Sequence, residues 1–434
     1  MRIAHLFFSG VDLDALARQT GFIERSPRKI TPAALLGAIC RLCTGTSPSC
    51  NDLAAHIARD TLREPSRQAV HLRLKAAFEQ FVEKLLARII ARRCAPRGHD
   101  GGICGVFREY RRVIVQDSTV IQLPDHLYAH FSGVRNAHRS SCGARIQAVY
   151  DLISGCLLHF SIDAYSRNDR AAAPALQLRE GDLVLRDRGY LTIDELRRHR
   201  QAAADCIYRH QSGWLYYDAR TLEPLDLPAL LRARGCLDRE VLLSDRTRVR
   251  LVAAPVDEQT ANLRRMRAKQ QTKGRNPSKA VLFLMGWTIF ITTVPAERAD
   301  FAALLGLYGL RWRIEIIFKA WKSQARFDHL HRLSRRQVLI LLKVRLLLLA
   351  ACANLLHAEL ASRLWRGFGR RLSLLKFMRH LCGGVDRIFE ALECLRPQAP
   401  GHETFLRYLA RYCCYEKRRK RRNYEEIWDD LALT

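Results

Sequence analysis

Acidic residues are scarce relative to basic ones in this sequence. Its 434 residues include 43 Asp and Glu against 72 Lys and Arg, which gives a formal net charge of +29. Such an excess is typical of a protein that binds a polyanion, most simply DNA or RNA. Arginine outnumbers lysine, which favours bidentate phosphate contacts. A GC-rich coding sequence would produce the same bias, so the charge indicates only a class of partner.

Export and membrane signals are also missing. The N-terminus, MRIAHLFFSGVD, lacks the charged start, long apolar core and small-residue cleavage site of a signal peptide. The longest apolar run, residues 338–356, is interrupted by Lys343 and Arg345 and has helical periodicity. We therefore predict a core helix rather than a membrane span, and a cytoplasmic protein with no membrane partner.

A second CxxC pair, which a structural zinc site usually needs, is absent. Cys40 and Cys43 lie at helical spacing in ALLGAICRLC. A zinc site that adds Cys50 and His56 is the alternative. We expect the fourteen cysteines to be reduced and mostly small core residues. The sequence also shows no internal repeat and no extended low-complexity tract.

Residues 1–104 are predicted to form a helical DNA-binding domain. Thr31 is a plausible N-cap of one helix, and SCNDLAAHIAR forms a second after a turn-rich stretch. A third helical segment is predicted to start near Ser66 in PSRQAVHLRLKAAFEQFVEKLLARIIARR, with apolar residues at three and four spacing and a basic end. A helix, a short turn and a helix that begins with Ser66, Arg67 and Gln68 fit a helix-turn-helix that reads a major groove. Any small helical bundle would give a similar pattern.

The periodicity changes after residue 105, where we predict an α/β fold with a ribonuclease-H-like core. RRVIVQDSTVIQL is a strand that carries Asp117, and ARIQAVYDL and GCLLHFSIDAY form a hairpin around DLISG. DLVLRDRGY is a short buried strand that ends at Asp187, and a helix, TIDELRRHR, and a strand, DCIYRH, follow it. In this order the first strand lies beside the fourth, so the two aspartates are expected to be neighbours.

Three further regions follow the first part of the core, residues 105–204. Residues 205–289 have alternating, strand-rich patterns and are predicted to be a β-rich insertion. Within them, Arg264 to Lys279 is interpreted as a basic, solvated connector loop. Residues 290–370 are predicted to complete the core. Residues 371–434 are a C-terminal helical region with a basic run, Lys417 to Arg422, interpreted as a solvated face or a nonspecific phosphate contact.

The stretch YGLRWRIEIIFKAWK, residues 308–322, is the most informative part of the chain. On a helix, Tyr308, Arg311, Glu315 and Lys322 share one narrow stripe about 21 Å long. The opposite face is apolar and would pack on a core. We predict that the polar stripe faces a DNA backbone. The alternative is a solvated helix face with an ion pair between Arg311 and Glu315.

Three carboxylates, from Asp117, Asp187 and Glu315, would complete the predicted site. Two carboxylates held side by side repel each other unless a cation lies between them. With the third, they could hold two Mg²⁺ ions about 3.5 to 4 Å apart, with Mn²⁺ able to substitute. One ion would activate a water or 3′ hydroxyl and the other would stabilise the leaving oxygen, which is an in-line phosphoryl transfer.

With these residues in hand, the sequence resembles the DDE transposases of bacterial insertion sequences, of the insertion-sequence-four type. The signature of that family is Tyr, two residues, Arg, three residues, Glu, six residues, Lys, and residues 308–322 match it at every spacing. Asp117 in QDSTV and Asp187 in RDRGY look like the two aspartates of the family. The resemblance runs from about residue 105 to 350 and includes the β-rich insertion.

The resemblance implies cut-and-paste transposition by nicking, hairpin formation, hairpin opening and strand transfer, with Asp117, Asp187 and Glu315 as catalytic, Mg²⁺-binding residues. It implies that Tyr308, Arg311 and Lys322 hold terminal phosphates and that Trp287 stacks a flipped base, with a core aromatic as the alternative for Trp287.

Its expected partners are the double-stranded terminal inverted repeats and target DNA, bound by a dimer in the bacterial nucleoid. The rival hypotheses are a metal-dependent structure-specific endonuclease and a non-catalytic repressor or decayed transposase.

Overall fold

A computed structural model describes residues 8, 10–25, 27, 29–42, 48–91, 105–136, 139–271, 276–324, 330, 333–383, 385–395, 399–416 and 424–433. The fold is mixed α/β, with helices at both ends of the chain and strands between them. The chain divides into two compact units. The first comprises Met1–Gly102, Asp117–Pro174 and Trp312–Glu425, and the second comprises Ile103–Gln116, Ala175–Arg311 and Glu426–Thr434.

The first unit begins with helices, one of which has the N-cap that the sequence predicts. Their bounds are α1 (Leu13–Gln19), α2 (Pro32–Leu42), α3 (Cys50–Thr61), α4 (Arg67–Arg73) and α5 (Ala76–Ala91). The Thr31 hydroxyl accepts a hydrogen bond from the Ala34 amide at 3.1 Å, which confirms the predicted cap of α2. Ser66 caps α4 in the same way, through the Ala69 amide.

The third predicted helical segment forms two helices, because the chain leaves helical geometry at Leu74 (φ −78°, ψ 54°) and α5 starts at Ala76. Val70 is fully buried on α4, and Phe78 and Phe81 are fully buried on α5. Tertiary packing of these apolar side chains overrides the local helix propensity of the intervening residues.

The strands of the first unit form the predicted hairpin and one additional strand. The elements of this part of the chain are β1 (Arg112–Gln122), β2 (Ser132–Asn136), β3 (Arg139–Asp151), β4 (Cys156–Ala164) and α6 (Asp169–Ala172). β3 pairs antiparallel with β4 around the predicted DLISG turn, where Gly155 adopts φ 69°. β3 also neighbours β1, and β2, which was not predicted, pairs with β3. β1 runs from the second unit into the first at Asp117.

The second unit contains the remaining strands and the helices between them. Its elements are β5 (Asp182–Arg186), α7 (Ile193–Gln201), β6 (Asp205–Arg209), β7 (Tyr217–Asp218), α8 (Leu227–Arg234), β8 (Leu237–Leu242), β9 (Arg248–Pro255), α9 (Glu258–Gln271), α10 (Lys279–Leu284), β10 (Trp287–Thr292) and α11 (Phe301–Leu310). β5 lies parallel between β1 and β6, which confirms that the first predicted strand neighbours the DLVLR strand. β10, β9, β8 and β7 continue from β6 in antiparallel order.

The first unit resumes with the C-terminal helices. They are α12 (Trp312–Gln324), α13 (Arg335–Ala351), a π-helical turn (Cys352–His357), α14 (Ala358–Phe368), α15 (Leu374–Cys382), α16 (Val385–Glu393), α17 (His402–Tyr412) and α18 (Tyr424–Leu433), the last of which continues into the second unit. The predicted basic run Lys417 to Arg422 lies outside the described residues.

The predicted core helix is confirmed. Of the described residues, one helical stretch, Arg335–Phe368, is long and apolar enough to cross a membrane, and 83% of its most apolar window is buried inside the protein. Lys343, which interrupts the apolar run, donates hydrogen bonds to Glu79 at 2.8 Å and to Glu83 at 2.7 Å. Its charge is thereby paired with α5, which packs against α13 within the first unit.

Candidate active site

Two neighbouring parallel strands lead directly to the two predicted aspartates. β1 and β5 pair in register from Arg112 opposite Asp182 to Gln116 opposite Arg186. Asp117 is the next residue after Gln116, and Asp187 is the next residue after Arg186. The start of this pairing is fixed by an ion pair, in which the Arg112 Nε donates to the fully buried Asp182 carboxylate at 2.7 Å. Asp117 therefore follows the last paired residue of β1, and Asp187 follows the last residue of β5.

Ser118, the residue after Asp117, takes part in a hydrogen-bond network within the first unit. The Ser118 amide donates to Asp117 Oδ1 at 2.8 Å. The Ser118 hydroxyl donates to Asp169, whose carboxylate also pairs with Arg145. Arg145 is buried on β3 and donates further to the Arg167 carbonyl at 2.9 Å. A side-chain network thus fixes the residue that follows Asp117.

The predicted continuous helix through the signature stretch is interrupted. α11 ends at Leu310 and α12 begins at Trp312, because the Arg311 amide donates to the Tyr308 carbonyl three residues back, as in a 3₁₀ turn. The prediction that Tyr308, Arg311, Glu315 and Lys322 form one exposed row on a single helix is therefore wrong. Tyr308 and Arg311 are each only 7% exposed, whereas Glu315 and Lys322 on α12 are half-buried.

The apolar face predicted for this stretch is confirmed. Its members are buried, with exposures of 0% to 5%: Leu307, Leu310, Ile314, Ile317, Phe318 and Trp321. Trp321 packs against Phe318 at 5.2 Å between ring centres and against Phe160 of β4 at 5.4 Å, within the first unit. α12 is therefore docked on the hairpin by the side predicted from periodicity.

Tyr308 faces Asp187 within the second unit. The Tyr308 hydroxyl donates to Asp187 Oδ1 at 3.5 Å, and the Arg311 guanidinium lies 5.5 Å from the Tyr308 ring centre. Burial is the main cause that raises the pKa of Tyr308 to about 12, and the Asp187 charge acts in the same direction. The Arg311 charge opposes this rise. The phenol is therefore neutral at ordinary pH and keeps its proton for donation.

A cationic cavity of about 380 Å³ in the second unit lies beside Asp187 and Trp287. Its wall also includes four arginines, namely Arg188, Arg209, Arg264 and Arg267. Trp287 is half-buried at the start of β10. Burial, and after it the neighbouring Arg209 charge, lowers the pKa of Arg264. A pocket of this size and charge fits an anionic group next to an aromatic ring.

Arg264 lines this cavity and was not among the predicted site residues. It donates to the Trp287 carbonyl at 2.9 Å and to the Thr288 hydroxyl at 3.3 Å, so it fixes the backbone that carries the tryptophan. The interpretation of Arg264 to Lys279 as a loop is wrong at both ends, because α9 extends to Gln271 and α10 starts at Lys279. Residues 272–275 lie outside the described part. The spacing of Arg264 and Arg267, one helical turn apart, was the available signal.

The predicted recognition residues lie on the surface of the first unit. Arg67 and Gln68 are exposed at the start of α4. Five residues separate α3 from α4, and the first of them, Leu62, adopts a left-handed conformation (φ 55°) and is 94% exposed. A five-residue connection therefore joins α3 to α4.

No group of three or more His, Cys, Asp or Glu side chains lies close enough to hold a metal ion among the residues that the structure describes. Asp117 and Asp187 follow paired strand positions, whereas Glu315 belongs to α12 beyond the interruption at Arg311. Carboxylate oxygens are nevertheless the donors that Mg²⁺ and Mn²⁺ prefer. For the alternative zinc site, Cys43 lies outside the described residues and Cys40 is buried on α2.

Comparison with known proteins identifies the family. The Transposase DDE domain family matches residues 109–355, more than half of the chain. The transposase for insertion sequence element IS231F of Bacillus thuringiensis subsp. israelensis is 24% identical over 79% of this chain and 76% of its own length. That for IS231D of B. thuringiensis subsp. finitimus is 24% identical over 88% and 84%, and that for IS1151 of Clostridium perfringens is 22% identical over 58% of each chain.

Among solved structures, a cryo-EM structure of the piggyBac transposase synaptic complex with hairpin DNA is similar, with a TM-score of 0.45, 10% identity, and coverage of 93% of this chain and 83% of that one. DDE transposases are divalent-metal-dependent enzymes that catalyse DNA cleavage and strand transfer. The match over residues 109–355 shows that this chain belongs to the DDE transposase family and is a transposase homologous to those of the IS231 insertion sequences.

Proposed function

We propose that this transposase moves its insertion sequence by a cut-and-paste pathway of nicking, hairpin formation, hairpin opening and strand transfer, with Asp117, Asp187 and Glu315 as the catalytic carboxylates. The observation that carries the proposal is the β1 and β5 register, in which the last paired residues, Gln116 and Arg186, directly precede Asp117 and Asp187. The order β4, β3, β1, β5, β6 supports a ribonuclease-H-like core around them.

The three carboxylates would hold two divalent ions, Mg²⁺ in the cell and Mn²⁺ in a substituted assay. Bound there, the ions supply charge stabilisation to the attacking and leaving oxygens of phosphoryl transfer. Asp117 and Asp187 provide oxygen donors directly after the last paired residues, and Glu315 completes the set when DNA is bound. Catalytic geometry often tightens only in the substrate complex, so the absence of a three-residue cluster among the described residues is compatible with this role.

The other members of the signature are proposed to hold the terminal phosphates. Tyr308 is neutral and can donate a hydrogen bond, either to Asp187 or to a phosphate oxygen that approaches the site. Arg311 offers a planar guanidinium for bidentate phosphate contacts, and Lys322 offers a compact positive charge on α12. Together they orient the scissile phosphate toward the carboxylates.

Trp287 is proposed to stack a base that is flipped out of the duplex. The cavity beside it has room for a ligand group, and its arginines can neutralise the phosphate that accompanies the base. The alternative, in which Trp287 is only a core aromatic, is disfavoured by its half-buried position on the cavity wall. A flipped terminal base would relieve strain where a tight hairpin closes.

The N-terminal helices, residues 1–104, are proposed as the domain that binds the terminal inverted repeats, with Arg67 and Gln68 at the major groove. The net charge of +29 supports contact with double-stranded DNA at both the ends and the target. Pairing of two ends requires at least a dimer in the synaptic complex, and the working compartment is the cytoplasm of a bacterium, at the nucleoid.

The test uses full-length protein, a duplex with the end of its own element, and Mg²⁺ or Mn²⁺, with products resolved on a denaturing gel. We expect closed hairpins and strand-transfer products that disappear in Asp117→Ala while end binding persists. Nicks without hairpins or joined products would favour a structure-specific endonuclease. Binding that is unchanged in Asp117→Ala, with no cleavage by wild-type protein in either metal, would favour a repressor or decayed transposase.

A further inference from the structure

A buried arginine lies two residues before Glu315. Arg313 of α12 is only 2% exposed, and its guanidinium is thus removed from water. It donates a hydrogen bond to the Tyr415 hydroxyl, and its Cζ lies 4.6 Å from the ring centre of Tyr424. A buried cation is expensive unless its partners are well placed, so these contacts fix the rotation of α12 about its axis.

Both tyrosines are themselves anchored within the first unit. The Tyr415 amide donates to the Arg371 carbonyl at 2.9 Å, directly after a bridge between Cys414 and Leu372. Glu425, which follows Tyr424, accepts from Arg371 at 3.1 Å. Arg371 therefore holds the Tyr415 backbone and Glu425, the residue next to Tyr424, independently of Arg313.

The end of the same C-terminal segment packs on α11 in the second unit. A Cβ at Gly306 would lie 3.1 Å from Leu431 Cδ2, and one at Gly309 would lie 3.9 Å from Ile427 Cδ1. Two glycines one turn apart weaken a helix, so their presence on either side of Tyr308 indicates a packing requirement. The Trp428 ring also stacks on Phe107 at 4.1 Å, which ties this segment to the residues that precede β1.

We infer that the described parts of the C-terminal segment, residues 413–416 and 424–433, position the two signature helices, one on each side of the Arg311 interruption. The inference rests on the proposed function of Tyr308 and Glu315. The positioning residues are Arg313, Tyr415, Tyr424 and Leu431. The two tyrosines hold α12 through the Arg313 guanidinium, and Leu431 holds α11 where it packs against Gly306. Groups that act in phosphoryl transfer must be held to within a fraction of an ångström, so loosening either contact should impair cleavage more than DNA binding.

The first test compares Arg313→Met, which keeps an unbranched apolar stem and removes the guanidinium with its charge, with Arg345→Met. Arg345 is equally buried, at 2% exposure, on a helix of the same unit that carries no signature residue, so its substitution controls for the general cost of losing a buried arginine. The assays are cleavage of saturating end DNA as a function of Mn²⁺ concentration, end binding, melting temperature, and Mn²⁺ bound to the protein–DNA complex measured by electron paramagnetic resonance.

In Arg313→Met we expect cleavage to fall about 10- to 100-fold and Mn²⁺ to bind more weakly, as for other residues that orient metal ligands, with end binding within about threefold of wild type. Arg313→Lys should recover part of the cleavage rate because it restores the charge. Arg345→Met should leave the Mn²⁺ dependence unchanged even where it lowers the melting temperature. Equal Mn²⁺ dependence in Arg313→Met and Arg345→Met would overturn the inference.

Milder variants keep the test decisive if Arg313→Met does not fold. Tyr415→Phe removes only the hydroxyl that accepts from Arg313, and Gly306→Ala adds one methyl group against Leu431. Both should slow cleavage while the protein stays folded. Leu431→Ala combined with Gly306→Ala makes room for that methyl and should restore part of the rate. Wild-type rates in both single variants would refute the positioning role.

The wild-type protein in the same assays distinguishes failure of the positioning role from failure of the proposed function. Wild-type cleavage and Mn²⁺ binding, together with wild-type behaviour of Arg313→Met and Gly306→Ala, would leave the proposed function intact and reject the positioning role. No cleavage and no bound Mn²⁺ in the wild-type complex would reject the proposed function and, with it, the inference that depends on it.

Discussion

Replacement of Trp287 by alanine tests the proposed role of the cavity in the second unit. The ring is half-buried on the cavity wall, and its backbone is held by Arg264. Stacking of one base on an aromatic side chain contributes about 1–3 kcal/mol. If this stabilises the flipped base during hairpin formation, Trp287→Ala should slow that step roughly 5- to 150-fold. Initial nicking requires no flipped base and should stay near the wild-type rate.

The assay follows nicking and hairpin formation separately, with normal end duplexes and with ends whose terminal pairs are mismatched. A mismatched base is easier to flip, so it should recover much of the lost rate in Trp287→Ala. Trp287→Phe keeps an aromatic face and should lose less than alanine. Trp365→Ala is the matched control, because Trp365 is another half-buried tryptophan beside an arginine, Arg371, and lines no part of this cavity.

Three outcomes would refute the reasoning about Trp287. One is an unchanged rate of hairpin formation in Trp287→Ala. Another is an equal loss of nicking and hairpin formation, which would indicate general damage to the fold. The third is the same loss with paired and mismatched ends, because a residue that stabilises a flipped base must matter less when flipping is already easy.

Two further predictions concern DNA recognition and acid stability. Alanine at Arg67 or Gln68 should weaken binding to the element's own ends selectively, by about 1–3 kcal/mol per lost base contact. Arg88→Ala, which removes a positive charge from α5, is the control and should cause no such selective loss. In a binding titration, an equal loss of affinity for random DNA would reject the assignment of α4 as a recognition helix. His199 is fully buried, and burial, with help from the Arg186 charge, lowers its pKa from 6.5 to about 3. Below about pH 6.5, His199 binds a proton in the unfolded chain but not in the folded protein. The free energy of unfolding should therefore fall by about 1.4 kcal/mol per pH unit below 6.5, or by about 2 kcal/mol at pH 5. Urea unfolding at pH 7.5 and 5.0 should show a smaller loss of unfolding free energy at low pH in His199→Gln than in wild type. The same loss in both proteins would contradict the proposed effect of His199.

Local sequence patterns predicted the strands that lead to the site because burial dictates their composition. Val113, Ile114 and Val115 form a continuous apolar run, as expected of a strand covered on both faces, and Leu183 to Leu185 do the same in β5. Asp187 could then be placed just after β5, whereas β1 continues past Asp117 to Gln122. The hairpin between β3 and β4 followed from its turn residues in the same way.

The break at Arg311 could not be read from the spacing of the signature, because it depends on which carbonyl the Arg311 amide selects. The burial of Tyr308 and Arg311 likewise depends on what packs over them. Arg264 appeared to belong to a solvated loop because its neighbours are basic. Its contact with the Trp287 carbonyl joins positions 23 residues apart, which no local pattern encodes.

The contacts of the C-terminal segment illustrate the same limit. Arg313 lies on the buried side of α12, and the sequence offers no reason to pair it with tyrosines about one hundred residues later. Gly306 and Gly309 look like helix weaknesses until Leu431 and Ile427 are seen against them. Long-range pairings of this kind are set by the tertiary fold, which composition and periodicity do not specify.

The most direct test of the central claim is a structure of the protein with end DNA and Mn²⁺, in which the ions are located by their anomalous scattering. The proposed function predicts that Asp117, Asp187 and Glu315 would hold two Mn²⁺ ions, which would stabilise the charge that develops on the scissile phosphate. Ions bound at other residues, or an Mn²⁺ site that excludes Glu315 in a complex competent for cleavage, would contradict it.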